Sequence, residues 1–192
     1  MPLLALGLVL FLGAHSLRIV ADGWRSQQIA RFGERRYKGL YSLASLLGFG
    51  LLIWGFVLAR SQPVVLWAPP AWTHPLAAVL MLLAFVLIVA AYVPRNALKA
   101  RLGHPMLLSV KTWAAAHLIA NGTLADVLLF ASFLVWAVLC FRSARSRDRA
   151  AGTVYPAGTA SGTTLTVVIG AVAYALFAYW LHGWLFGVRP LP

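Results

Sequence analysis

The sequence predicts an all-α fold, a polytopic transmembrane bundle of about six helices, and three observations carry that expectation. Hydrophobic residues make up 61% of 192 positions, well above the roughly 45–50% of a soluble domain. Charged residues are only 10%, and they cluster between apolar runs instead of studding every helix face. The runs approach the roughly 20 residues that a helix needs to cross the hydrocarbon core. The chain reads as one transmembrane domain over residues 1–192, with a mobile cytoplasmic linker at about 142–163 and the lipid bilayer as its partner.

A first span is expected over residues 3–20, ending in Arg18, Asp22 and Arg25. No basic residue precedes its apolar stretch and positive charge follows it, the reverse of a secretory signal, so this helix is expected to stay. Residues 40–59 carry no charge and contain Gly48, Gly50 and Gly55, small residues that let helices approach closely in lipid. Pro69, Pro70 and Pro75 open a third span over 75–93, and Pro94 closes it, since proline favours helix boundaries. The fourth, 105–121, holds Lys111, Thr112, Trp113 and His117 among alanine and leucine. Asn121-Gly122 reads as a tight turn into a fifth span over 124–141. The stretch Arg142 to Thr163, first basic and then rich in Gly, Ala, Ser and Thr, reads as the linker, and 164–187 as the sixth span.

The net charge of +12 then needs no nucleic acid, because arginines flanking spans act as topology determinants. Arg25, Arg31, Arg35, Arg36 and Lys38 follow span one, Arg95, Lys99 and Arg101 span three, and Arg142, Arg145, Arg147 and Arg149 span five. The opposite side receives Arg60 and Arg189, so both termini are expected in the periplasm or its equivalent. One cysteine, Cys140, excludes a disulfide framework or thiolate metal cluster and is taken as packing.

No Walker loop, GxGxxG after a strand, HExxH or GxSxG is present. Asp22, Glu34, Asp126 and Asp148 are the only carboxylates, none of them mid-membrane, which argues against paired-carboxylate catalysis. Histidine remains. His15 and His117 fall inside spans, His74 and His104 begin His-Pro pairs, and His182 lies near the outer end of span six. Two polar stripes follow from helical spacing: His15, Arg18 and Asp22 on span one, and Trp113, His117 and Asn121 on span four. One reading is that these histidines hydrogen-bond to neighbouring helices. The other is heme, whose iron takes two neutral imidazoles and whose propionates need cations such as Arg18 or Lys111.

Gly13-Ala-His-Ser-Leu-Arg18, Arg31-Phe-Gly-Glu-Arg-Arg-Tyr-Lys-Gly-Leu-Tyr-Ser42, His104-Pro-Met-Leu-Leu, Trp113 and Ala116-His-Leu-Ile-Ala-Asn-Gly122 resemble the NnrU family over nearly the whole chain. That resemblance implies a bacterial inner-membrane protein linked to nitric oxide and nitrite reduction in denitrifiers, with the reductase machinery as partner. It also implies kinship with the plant and cyanobacterial 15-cis-zeta-carotene isomerase, a heme-b enzyme. The isomerase's two heme-ligating histidines match the positions of His15 and His117 here, and this chain's own stripes offer Arg18, Lys111, Trp113 and Asn121 as residues around such a cofactor. The isomerase has Arg-His-Pro where this chain has Gly103-His104-Pro105, so that arginine has no counterpart here. Counted from the cytoplasmic ends, His15 lies roughly 10 Å and His117 roughly 20 Å deep at 1.5 Å per residue, so His182 is the fallback ligand.

Two other classes compete with a heme protein of redox or isomerisation chemistry. His104-Pro105 and Phe32-Gly-Glu-Arg-Arg-Tyr37 echo pieces of isoprenylcysteine and phospholipid methyltransferases, but in the wrong order. A non-enzymatic assembly or regulatory partner of reductases needs only the short-looped helices.

Overall fold

The computed structural model describes residues 1–191, which form eight helices: α1 Pro2–Val20, α2 Asp22–Phe32, α3 Glu34–Ser61, α4 Thr73–Tyr92, α5 Ala97–Leu102, α6 Pro105–Ala120, α7 Leu124–Ala151 and α8 Ala160–Phe186. The fold is an all-α helical bundle. Among the described residues the only extended pairing is an isolated bridge between Val65 and Thr123. It is framed by hydrogen bonds from Leu66 N to Gly122 O and from Leu124 N to Val64 O. The Asn-Gly turn expected from the sequence is thus an extended segment, with Asn121 at φ −130° and ψ 149°.

Five helices are long and apolar enough to cross a membrane: α1, α3, α4, α7 and α8. They leave large side chains uncovered, Val9 at 69%, Leu46 at 68% and Val79 at 65% exposed, which suits lipid and would be an aggregation surface in water. The fourth expected span, α6, has 16 residues and so reaches only about 24 Å, short of the roughly 30 Å core. It is instead the most enclosed helix of its surroundings, with every residue after Met106 buried or half-buried. Two short helices that hydropathy did not mark, α2 and α5, occupy basic loops.

The chain divides into two compact units, residues 1–68 with 122–140, and residues 69–121 with 141–192. In the first, α1 packs on α3 across a seam of glycines. A Cβ on Gly55 would fall 2.3 Å from Leu4 N, one on Gly48 2.7 Å from Phe11 N, and one on Gly7 2.4 Å from Leu52 N. Gly50, on another face, meets nothing within 4 Å. At the start of α7, Thr123 and Asp126 form a capping box. The Asp126 carboxylate accepts from Thr123 N and Oγ1 at 3.2 and 2.6 Å, and Thr123 Oγ1 accepts from Asp126 N at 3.3 Å.

In the second unit α4 packs against α6 and α8. Ser109 Oγ donates to Ala84 O at 2.7 Å across the α4–α6 contact, and Gly170 brings α8 against Val86. Asn96, 1% exposed, closes α4 and opens α5: its Nδ2 donates to Ala90 O and Val93 O, and its Oδ1 accepts from Lys99 N. The basic stretch expected to begin a linker at 142 continues α7 as far as Ala151. Arginine, alanine and serine sustain a helix, and none of these residues is Gly or Pro until Gly152, which takes φ +59°. Residues 152–159 form the non-helical connection to α8.

Candidate functional site

Each intramembrane histidine is held by its own helix. In the first unit, His15 Nδ1 lies 2.7 Å from Phe11 O, one turn back on α1. A carbonyl only accepts, so a proton sits on Nδ1, and in the neutral form of such a ring the lone pair falls on Nε2. The ring is half-buried among aromatics, with Phe11, Tyr41 and Trp136 centroids at 4.3, 5.3 and 6.1 Å. The buried Nε1 of Trp136 has no hydrogen-bond acceptor among the described residues. Arg18, one turn on from His15, is exposed.

In the second unit, His117 repeats that arrangement on α6. Its Nδ1 lies 2.9 Å from Trp113 O, and the two rings tilt together at 5.4 Å between centroids. Asn121, the C-cap of α6, donates from Nδ2 to His117 O at 2.9 Å. Trp113, His117 and Asn121 are therefore one contiguous hydrogen-bonded stripe, as their spacing of four predicted. Trp113 also borders, with Met81, Phe85 and Ile88, an apolar cavity of about 130 Å³ between α4 and α6. His182 makes a comparable bond, Nδ1 to Val188 O at 2.6 Å, just after a π-helical turn at Phe177–Leu181. Tautomer alone does not separate it from the other two.

Lys111 meets an aromatic face. Its Nζ stands 4.8 Å from the centroid of the Phe141 ring, a cation–π contact that offsets part of the cost of a cation in a half-buried place.

Sequence reasoning missed the polar cluster at the basic end of α7. His104, the N-cap of α6, points Nε2 at Asp148 Oδ2, 2.8 Å away, and the same oxygen accepts from the Tyr155 hydroxyl at 2.9 Å. The side chains of His104 and Asp148 are 25% and 17% exposed. Asp148 lies on α7 about 10 Å beyond Phe141, the end of the apolar run, at 1.5 Å per residue. Partial burial pushes its carboxyl up, but the hydrogen bonds from Tyr155 and His104, with the charge of Arg145, outweigh this and hold it below the ordinary carboxylate range. Burial first, then the bond to Asp148 and its charge, push the Tyr155 phenol above its usual value. Gly103 makes the corner possible. It takes φ +76°, and a Cβ there would come within 3.1 Å of both Arg145 Nη1 and Tyr155 Cε2. Separations of 44 and 51 residues from His104 hid the cluster from any spacing argument. Among the described residues no group of three or more His, Cys, Asp or Glu side chains could hold a metal ion.

Five long apolar helices with lipid-suited surfaces fit a polytopic α-helical membrane protein. The family model for NnrU protein matches residues 3–190, and the chain belongs to the NnrU family. No curated protein and no solved structure matches it.

Proposed function

We propose that the chain is a bacterial inner-membrane protein with both termini in the periplasm. In this reading it binds heme b through His15 and His117, in redox or isomerisation chemistry tied to nitric oxide and nitrite respiration. One observation carries the reading: both histidines commit Nδ1 to the carbonyl one turn back, the tautomer in which Nε2 would be the nitrogen that ligates a metal. A second supports it. The buried indole N–H of Trp136, beside the His15 ring, lacks an acceptor, at a cost of about 1–3 kcal/mol, and an acceptor-bearing ligand there would satisfy it. Heme b, when bound, would supply the one-electron or Lewis-acid chemistry. The chain's own residues would orient the two imidazoles, and the aromatic side chains around them would exclude water.

A pyridine hemochrome assay on the detergent-purified protein tests cofactor type and stoichiometry together. A b-type spectrum lost in both His15→Ala and His117→Ala is the expected result. Retention in His15→Ala with loss in His182→Ala would move the ligand to α8. A colourless wild-type protein purified from heme-replete cells would leave the non-enzymatic partner role in its place.

A further inference from the structure

Beyond the end of the apolar run of α7, one face of the helix carries Arg142, Arg145 and Arg149 at i, i+3 and i+7, within about 60° of one another on an ideal helix. With Phe141 and Ser146 they line an open cavity of about 510 Å³. Arg147 is turned to other work, donating from Nη1 to Ser143 Oγ at 2.7 Å. Asp148, whose Oδ2 accepts from His104 and Tyr155, offsets part of the charge of Arg145 alone. Among the described residues the Arg142 and Arg149 side chains donate no hydrogen bond, and Lys111 adds a fourth cation behind the Phe141 ring. Like charges three and four residues apart on a helix repel, and a guanidinium presents a fork that matches phosphate. The lining therefore concentrates positive charge in a geometry that suits a phosphate.

Depth selects the source of that anion. If the hydrocarbon core ends near Phe141, Arg142 and Arg145 stand about 1.5 and 6 Å beyond it and Arg149 about 12 Å, against a headgroup layer of roughly 5–8 Å on each side. Two of the three guanidinium groups are rooted in the phosphate layer and the third just above it. The aromatic floor at Phe141 suits the glycerol and upper chain of a lipid. We propose that this cavity is a binding site for the phosphate of an anionic phospholipid headgroup, gripped by Arg142, Arg145 and Arg149. It stands independently of the heme reading.

The test uses full-length protein, delipidated in detergent and titrated with phosphatidylglycerol or phosphatidylcholine under native mass spectrometry. R142Q/R145Q/R149Q is compared with R31Q/R35Q/R36Q, which removes the same charge from the other basic loop. The expected result is a loss of at least about tenfold in phosphatidylglycerol affinity for the first variant, and less than about twofold for the second. Phosphatidylcholine should bind neither specifically, and inorganic phosphate in tenfold excess over lipid should not displace phosphatidylglycerol. Equal loss in the two variants, equal binding of the two lipids, or displacement by inorganic phosphate would overturn the proposal, the last by assigning the site to a soluble phosphate. Should the triple variant not fold, R145Q alone carries the test, with an expected loss of about threefold or more and the same overturning outcomes.

Discussion

Substituting Gly55 by alanine should pry α1 from α3. The added Cβ would lie 2.3 Å from Leu4 N and 2.6 Å from Leu4 Cα, where ordinary contact begins at 3.4 Å, so the helices must part by about 1 Å. Backbone atoms cannot rotate away as a side chain tip does. A gap of 0.5–1 Å already forfeits a quarter to a half of each dispersion contact, and overpacking of this kind costs about 1–3 kcal/mol. In lipid no hydrophobic drive between helices makes up the loss. Gly48, two turns earlier on the same face, should behave alike, and the double variant should cost less than the sum because the first parting relieves the second. Gly50→Ala is the internal control. It meets nothing within 4 Å and should be neutral, or gain up to about 1 kcal/mol from helix propensity. Thermal unfolding of detergent-purified variants followed by circular dichroism reads the difference. Equal midpoints for Gly55→Ala and Gly50→Ala would refute the close-packed seam.

The cluster of His104, Asp148 and Tyr155 predicts a pH window of stability. The Asp148 carboxyl is held low in the folded state, so its contribution is present above the ordinary aspartate range and lost as pH falls through the folded value. The Tyr155 phenol is held high, so its contribution is present below the ordinary tyrosine range and lost as pH rises through the folded value. Unfolding midpoints should fall at both ends for the wild type, and Asp148→Asn should flatten the acidic limb; an unchanged acidic limb in that variant would place the dependence elsewhere. Lys111→Met should retain the fold, since it keeps the apolar stem and removes only a half-buried cation stabilised by the Phe141 ring at 4.8 Å, worth about 0.5–2 kcal/mol. A shift beyond that range in thermal unfolding would mean that Lys111 holds a stronger partner than the ring.

Membrane helices were legible because the bilayer demands an apolar run of fixed length, and that demand is written locally in residues 3–20, 40–59, 75–93, 124–141 and 164–187, while the expected span over 105–121 proved too short. The stripe of Trp113, His117 and Asn121 was legible for the same reason: a period of four residues is a property of one helix, and both hydrogen bonds within it run back one turn. The helical extension of α7 to Ala151 had a readable stop signal in Gly152, which the Gly, Ala, Ser and Thr composition of the following residues obscured.

Tertiary structure decided what no local rule contains. Of three glycines that composition treats alike, it placed Gly48 and Gly55 against backbone and left Gly50 open, because a helix face is chosen by its neighbour. It made α6 a short enclosed helix, set Lys111 over Phe141, and joined His104 to Asp148 and Tyr155 across 44 and 51 residues. The sequence by itself determined which segments leave water, since transfer into lipid is a sum over residues; only the packed chain decided which polar groups meet, since a hydrogen bond requires two atoms brought within about 3 Å by helices whose separation and rotation no single segment encodes.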